Sequence, residues 1–195
     1  MDKQIELFIQ NLENRFNKYD ISEISEDCIR YDYFASLSTF VDTSDIVLEY
    51  PHPIYKKSRI DCVVNYPNNN LVAKEFKFFR SIPSGKNIPQ TQLIGQIFKD
   101  IYKLKSFKEA NIKKLIVVTN GIMANYMNNQ FSLFDNMRKT ELEIKISSDT
   151  LNKQENTFQK SIVPFKNIDL EVKRIFCKLI MNRSDIYVVA IFEIL

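Results

Sequence analysis

Histidine is almost missing from this 195-residue chain, where His52 is the one copy. That count excludes histidine-rich zinc centres, histidine–metal nucleases and any mechanism that needs two imidazoles. A Ser-His-Asp or Cys-His site would have to use His52, which lies between Pro51 and Pro53 in a segment that reads as a turn or strand end. Glycine is equally scarce, at Gly85, Gly95 and Gly121. Gly85-Lys86 has no glycine five residues ahead of it, so no phosphate-binding P-loop exists, and there is no dinucleotide fingerprint. These two absences also disfavour a small-molecule enzyme on an α/β core. The three cysteines, Cys28, Cys62 and Cys177, are odd in number, widely spaced and set among apolar neighbours, which predicts reduced, buried thiols in a cytoplasmic protein. No apolar run approaches the ~18 residues of a membrane span. Met1-Asp2-Lys3-Gln4 leads into an amphipathic stretch with Glu6 and Glu13 and does not read as a signal peptide. The chemistry must come from carboxylates, lysines and amides.

What is present is ordinary for a globular protein: 45% hydrophobic, 26% charged and 12% aromatic residues, enough for one domain spanning 1–195. A net charge of +3 is compatible with a polyanionic partner but short of a strongly basic nucleic-acid binder. Apolar positions Ile5, Phe8, Ile9, Leu12 and Phe16 predict a helix over 4–19, and Ser25, placed to cap Glu26-Asp27, predicts a second to about Ser38. Three strands follow, at Ile46–Tyr50, Ser58–Tyr66 and Leu71–Phe79, ended by Pro51-His52-Pro53, Pro67-Asn68-Asn69-Asn70 and Ile82-Pro83-Ser84-Gly85. A helix begins at or just after Pro89 and runs to about Phe107 with Leu93, Ile97, Ile101 and Leu104 in one stripe. Leu115–Val118 then reads as a strand buried on both faces, as in a parallel crossover. Beyond it the pattern predicts a helix over 122–137, a strand at 142–146, a polar loop over 147–160, a helix near 167–182 and a last strand at Ile186–Leu195. The fold class is mixed α/β.

Strand alternation puts Leu71, Ala73, Glu75, Lys77 and Phe79 on one face, so Glu75 and Lys77 are neighbours in an apolar setting where charge is costly unless paired. Asp61 is a lone acid within Ile60-Asp61-Cys62-Val63-Val64 on the preceding strand. A hairpin with strand twist brings two carboxylates and one ammonium together. The plain alternative is a structural ion pair among Asp61, Glu75, Lys77 and Arg59.

On these residues the chain resembles the PD-(D/E)xK nucleases, the superfamily of many restriction endonucleases, junction resolvases and recombination nucleases. Their α-β-β-β-α-β core would cover about residues 25–120, with N- and C-terminal elements as elaborations. Asp61 matches the first acid, Glu75 the second and Lys77 the lysine, while Ile60 stands where the motif has proline. The resemblance implies that Asp61, Glu75 and the Phe76 carbonyl hold Mg²⁺, for which Mn²⁺ can substitute, and that Lys77 orients the attacking water. A glutamine-bearing helix in some members is similar to Gln92 and Gln96. Glu49, Asp32 and Glu26 are candidates for a further acid, Glu49 favoured because its strand adjoins that of Asp61. Lys56, Lys57, Arg59, Lys74, Arg80 and Lys86 are candidates to contact a DNA backbone. The implied activity is that of a DNA endonuclease of the type II restriction kind, a homodimer acting on double strands. A junction resolvase or repair nuclease is the nearest rival, and a DNA-binding protein that keeps the fold without catalysis is the rival from another class.

Overall fold

Asp2 opens the first helix, its carboxylate accepting the Gln4 N–H at 3.0 Å, and the five apolar residues of its stripe are buried. The computed structural model describes residues 2–67, 70–80, 89–137, 139, 141–154, 168–183 and 185–195. Helix α1 (Lys3–Lys18) packs on α2 (Glu26–Leu37), and a bidentate Arg15–Asp32 pair at 2.6 and 2.7 Å joins them. Ser25 does stand at the start of α2, yet its hydroxyl faces Cys28 Sγ at 3.5 Å and makes no capping bond. Glu26 and Asp27 occupy the first turn instead, where the helix dipole favours acids.

Strands β1 (Ile46–Pro51), β2 (Arg59–Tyr66) and β3 (Asn70–Phe79) form the antiparallel meander read from the proline punctuation. Helix α3 (Gln90–Ser106) carries the chain over to β4 (Ile112–Asn120), which lies parallel to β3. Helix α4 (Gly121–Phe131) is shorter than the sequence suggests, because Ser132 turns left-handed at φ 55° and sends Leu133 and Phe134 into the core. Strand β5 (Leu142–Ile146) and a one-turn helix α5 (Ser148–Asn152) follow, the latter inside the expected polar loop; that loop from 155 onward lies outside the described residues. Strands β6 (Leu170–Asn182) and β7 (Asp185–Ile194) complete a seven-stranded mixed sheet in the order β1-β2-β3-β4-β7-β6-β5.

The helix expected near 167–182 is therefore a strand. Leu170, Val172 and Arg174 alternate into the core, and β6 is paired on both sides, by β5 and β7. A register shift between Arg174 and Phe176 then reverses the faces: Leu170 and Val172 pack beneath α3 and α4, Phe176 and Ile180 beneath α1 and α2. Fully buried Arg174 donates to the carbonyls of Leu133, Asp135, Asn136 and Lys139 at 2.8–3.1 Å, tying the turn after α4 to the sheet. None of the three cysteines is disulfide-bonded; Cys62 is buried, Cys28 and Cys177 half-buried. No helix among the described residues is long and apolar enough to cross a membrane.

Candidate active site

The β2–β3 ladder runs from Tyr66–Asn70 to Cys62–Lys74, and beyond that pair side chains replace main-chain partners. Asp61 Oδ2 accepts the Phe76 N–H at 2.9 Å, and the Asp61 N–H points at Glu75 Oε1 at 3.3 Å. The amides left free where the strands part must find acceptors, and these two acids supply them. On the other side of β2, Glu49 interrupts β1 between the pairs Leu48–Cys62 and Tyr50–Ile60, with a left-handed backbone at φ 53°. That conformation costs a non-glycine residue roughly 1–2 kcal/mol. So Asp61 sits where the sheet is split on both flanks, and strain of this kind gathers at functional sites.

Glu75 and Lys77 share the face of β3 that meets α3, as strand alternation requires. Two residues of α3 that the sequence reading missed complete the cluster. Lys103 Nζ lies 2.7 Å from Glu75 Oε2 and 3.2 Å from Asp100 Oδ1. Lys77 Nζ lies 2.9 Å from Asp100 Oδ2 and 3.0 Å from the Phe76 carbonyl. The signal was available: Gln92, Gln96 and Asp100 repeat every four residues, and Lys103 extends the same helix face. Gln96 lines an open cleft of about 430 Å³ together with Lys77, Asp100 and Lys103, and Gln92 lies half-buried one turn earlier.

His52 sets the height of α3. Its Nδ1 accepts the Ile54 and Tyr55 N–H groups, both at 3.1 Å, so the proton belongs on Nε2, which faces the Lys103 carbonyl at 3.1 Å. Burial also pulls its pKa down, so the ring is neutral and structural.

The three candidates for a further acid have different partners. Asp32 is consumed by Arg15. Glu49 is exposed and paired with Arg30, whose guanidinium is divided among Asp27 at 3.3 Å, Glu49 and Asp61 at 3.7 Å. Glu26 is the acid that reaches Lys77: its Oε1 is 3.7 Å from the ammonium, and its Oε2 accepts the Phe78 N–H at 3.1 Å. Burial raises the Glu26 pKa, against the pull of Lys77 and the Phe78 amide.

Of the basic candidates, Lys57 and Arg59 line the cleft beside Lys77, joined by Lys99, and Lys56 is exposed. Arg80 donates to the Ile21 carbonyl. Lys86 lies outside the described residues. Lys74 is a correction, because it is 1% exposed and cannot meet a phosphate backbone. It occupies the other face of β3, its ammonium 5.0 Å from the Tyr33 ring centroid and 5.6 Å from that of Tyr66, and burial pulls its pKa down to about 8.

Charge in this cluster does not balance. Glu26, Glu75 and Asp100 meet two ammoniums, Lys77 and Lys103, while Asp61 adds its charge nearby and has only a share of Arg30. Each lysine loses basicity to burial but regains more from the acids around it, so both hold their protons more tightly than usual. The deficit falls on Glu75, the deepest acid at 1% exposure. Burial, then Asp100, then Asp61 push its pKa well up, and Lys103 only partly reverses this. Asp100 Oδ2 is buried and has the Lys77 ammonium at 2.9 Å as its partner. Hard oxygen donors with surplus negative charge suit a small divalent cation. Among the described residues, no group of three or more His, Cys, Asp or Glu side chains is gathered in ligand geometry. Comparison of the chain with family models, curated proteins and solved structures returned no match.

Proposed function

We propose that this chain is a Mg²⁺-dependent deoxyribonuclease of the PD-(D/E)xK type with a restriction endonuclease-like core. The observation that carries the reading is the surplus of buried carboxylate at the point where β2 and β3 part, with Lys77 beside it. The order of elements supports it as well: helix, three antiparallel strands, crossover helix, parallel strand.

Asp61, Glu75 and the Phe76 carbonyl would hold Mg²⁺ or Mn²⁺, which when bound lowers the pKa of water, shields phosphate oxygens and steadies the leaving oxygen. Lys77 orients the attacking water and stabilises the charge that builds on the phosphate. Asp100 and Glu26 keep its ammonium protonated, so it acts as a fixed cation and not as a base. Lys57, Arg59 and Lys99 on the cleft wall hold the backbone of the substrate, and Gln96 offers an amide to it.

The substrate is double-stranded DNA and the enzyme a homodimeric endonuclease of the type II restriction kind, with a junction resolvase or repair nuclease as the alternative within the same chemistry. Digestion of a long mixed-sequence DNA with Mg²⁺, followed by sequencing of the ends, tests this. Discrete fragments support restriction, smears favour a structure-selective or nonspecific nuclease, and no cutting with Mg²⁺ or Mn²⁺ sinks the proposal. One observation favours a second reading. Glu75–Lys103–Asp100–Lys77 is a continuous chain of ion pairs, as expected of a DNA-binding protein that keeps the fold for assembly. Such a protein would shift DNA in a gel and leave it intact.

Glu26→Gln separates positioning from coordination. It keeps an acceptor for the Phe78 amide and removes the charge facing Lys77. Groups that orient a site from just outside it are worth roughly 10–100-fold. Cleavage by Glu26→Gln is expected to fall about tenfold in kcat with KM for DNA nearly unchanged. A loss confined to KM would assign Glu26 to substrate binding.

A further inference from the structure

On the side of the sheet away from α3, a cavity of about 250 Å³ opens between α2 and the β1–β2 edge. Its walls are the rings of Tyr31, Tyr33, Phe34 and Phe76 with the side chain of Leu48. Two of these should be buried if packing alone placed them, yet Tyr31 is 64% and Leu48 47% exposed. Around them stand Asp27, Glu49 and Asp61 with Arg30 between them, a polar rim whose one cation is shared by the three acids. The cavity also shares two residues with the candidate cleavage centre. Asp61 forms part of its wall, and Phe76, whose amide Asp61 holds at 2.9 Å, forms another part.

We propose that this cavity receives one nucleobase turned out of the DNA stack beside the phosphate to be cut. This rests on the nuclease reading and adds the substrate feature to it. Aromatic and aliphatic walls suit the faces of a flat heterocycle, and a polar rim suits its hydrogen-bonding edge. The volume lies below the ~300–1,000 Å³ of pockets that enclose larger ligands, so it fits one ring system and not a dinucleotide. Sharing Asp61 with the cleavage centre keeps the base within about one nucleotide of the bond broken there. Because an already unpaired base has no pairing to lose and costs less to leave the duplex, the enzyme prefers DNA with a bulged base to fully paired DNA.

The test uses three duplexes and the full chain in Ca²⁺, which supports binding without committing the experiment to cleavage. One duplex carries 2-aminopurine as a single-base bulge, one carries it paired, and one has an abasic bulge labelled at its end. Quenching of the bulged probe, with affinity about tenfold above the paired and abasic duplexes, is expected for the wild type. Tyr31→Ala, at an exposed position that folding does not need, should remove that preference and leave the affinity for paired DNA unchanged. Equal affinity for the three duplexes overturns the proposal, as does a preference that survives in both Tyr31→Ala and Leu48→Ala. A change in self-association on sedimentation, with quenching unaltered, also overturns it and makes this face an interface between copies of the chain. Base-dependent quenching without cleavage of any DNA in Mg²⁺ keeps the pocket and removes the nuclease reading.

Discussion

Lys77→Ala is expected to lower Mg²⁺-dependent DNA cleavage by about 10²–10³-fold, the scale on which losing one preorganised group at a developing charge is felt. Asp61→Ala and Glu75→Ala should do the same, by removing the carboxylates that would hold the cation. The three losses have different expected signatures. Raising Mg²⁺ or exchanging it for Mn²⁺ should recover part of the activity of an acid variant, since a tighter-binding ion compensates for a missing ligand. It should not help Lys77→Ala, whose ligand set is intact. Binding to DNA, measured in Ca²⁺ by gel shift, should stay within a few-fold of wild type in all three, because Lys57, Arg59 and Lys99 on the cleft wall are unaltered. Circular dichroism guards against misreading, since Lys77→Ala strips Asp100 of a partner at 2.9 Å. Lys77→Met keeps the aliphatic stem and supplies a second version with less loss of packing. Near-normal cutting by either would remove Lys77 from the chemistry, whatever the family.

The β-β-β-α-β centre was legible because proline and asparagine punctuate it and because each strand there is short. Glu75 and Lys77 could be placed on one face from strand alternation alone, and the structure keeps them there. Residues 170–182 misled for a definable reason. Val172, Phe176 and Ile180 are spaced by four, a step that satisfies both a strand's period of two and, nearly, a helix's period of 3.6. The irregularity at 174–176 is the part of β6 that no pattern announces. Buried Arg174 added to the confusion, since its partners are backbone carbonyls some 35 to 41 residues earlier. Asp100 and Lys103 went unread despite their spacing, and Glu26 stood as one of three candidate acids, for another reason. Whether a charge on a helix faces solvent or a sheet depends on how that helix is rotated in the fold. Glu49 was favoured over Glu26 from strand adjacency, but a left-handed kink turns it toward Arg30. Lys74 shows the converse, a basic residue in a charged-looking run whose strand parity carries it beneath α2.

Lys103→Ala is expected to destabilise the protein at neutral pH by about 3 kcal/mol, because it leaves a buried acid without its cation. Lys103 is the ammonium on Glu75 Oε2, and its removal also frees the Arg59 carbonyl at 2.9 Å. The pH dependence follows from the direction of the Glu75 shift. Its folded pKa is raised, so the native state holds the proton more tightly than the unfolded chain. Stability then falls as pH rises, from about 4.5 up through the raised value, and is unaffected by this group below that window. Removing Lys103 takes away a group that lowers this pKa, so the window widens upward and the penalty grows with pH. The measured difference between Lys103→Ala and wild type in urea should therefore be small near pH 4 and largest above neutrality. Lys103→Ala with Glu75→Gln should recover most of the loss, since the amide needs no counter-charge. Saturating Mg²⁺ should recover it too, if Glu75 is a ligand, because an ion bound to the folded state adds its binding free energy to stability. Recovery by Glu75→Gln without recovery by Mg²⁺ or Mn²⁺ would mean that these acids and lysines are a structural ion-pair network.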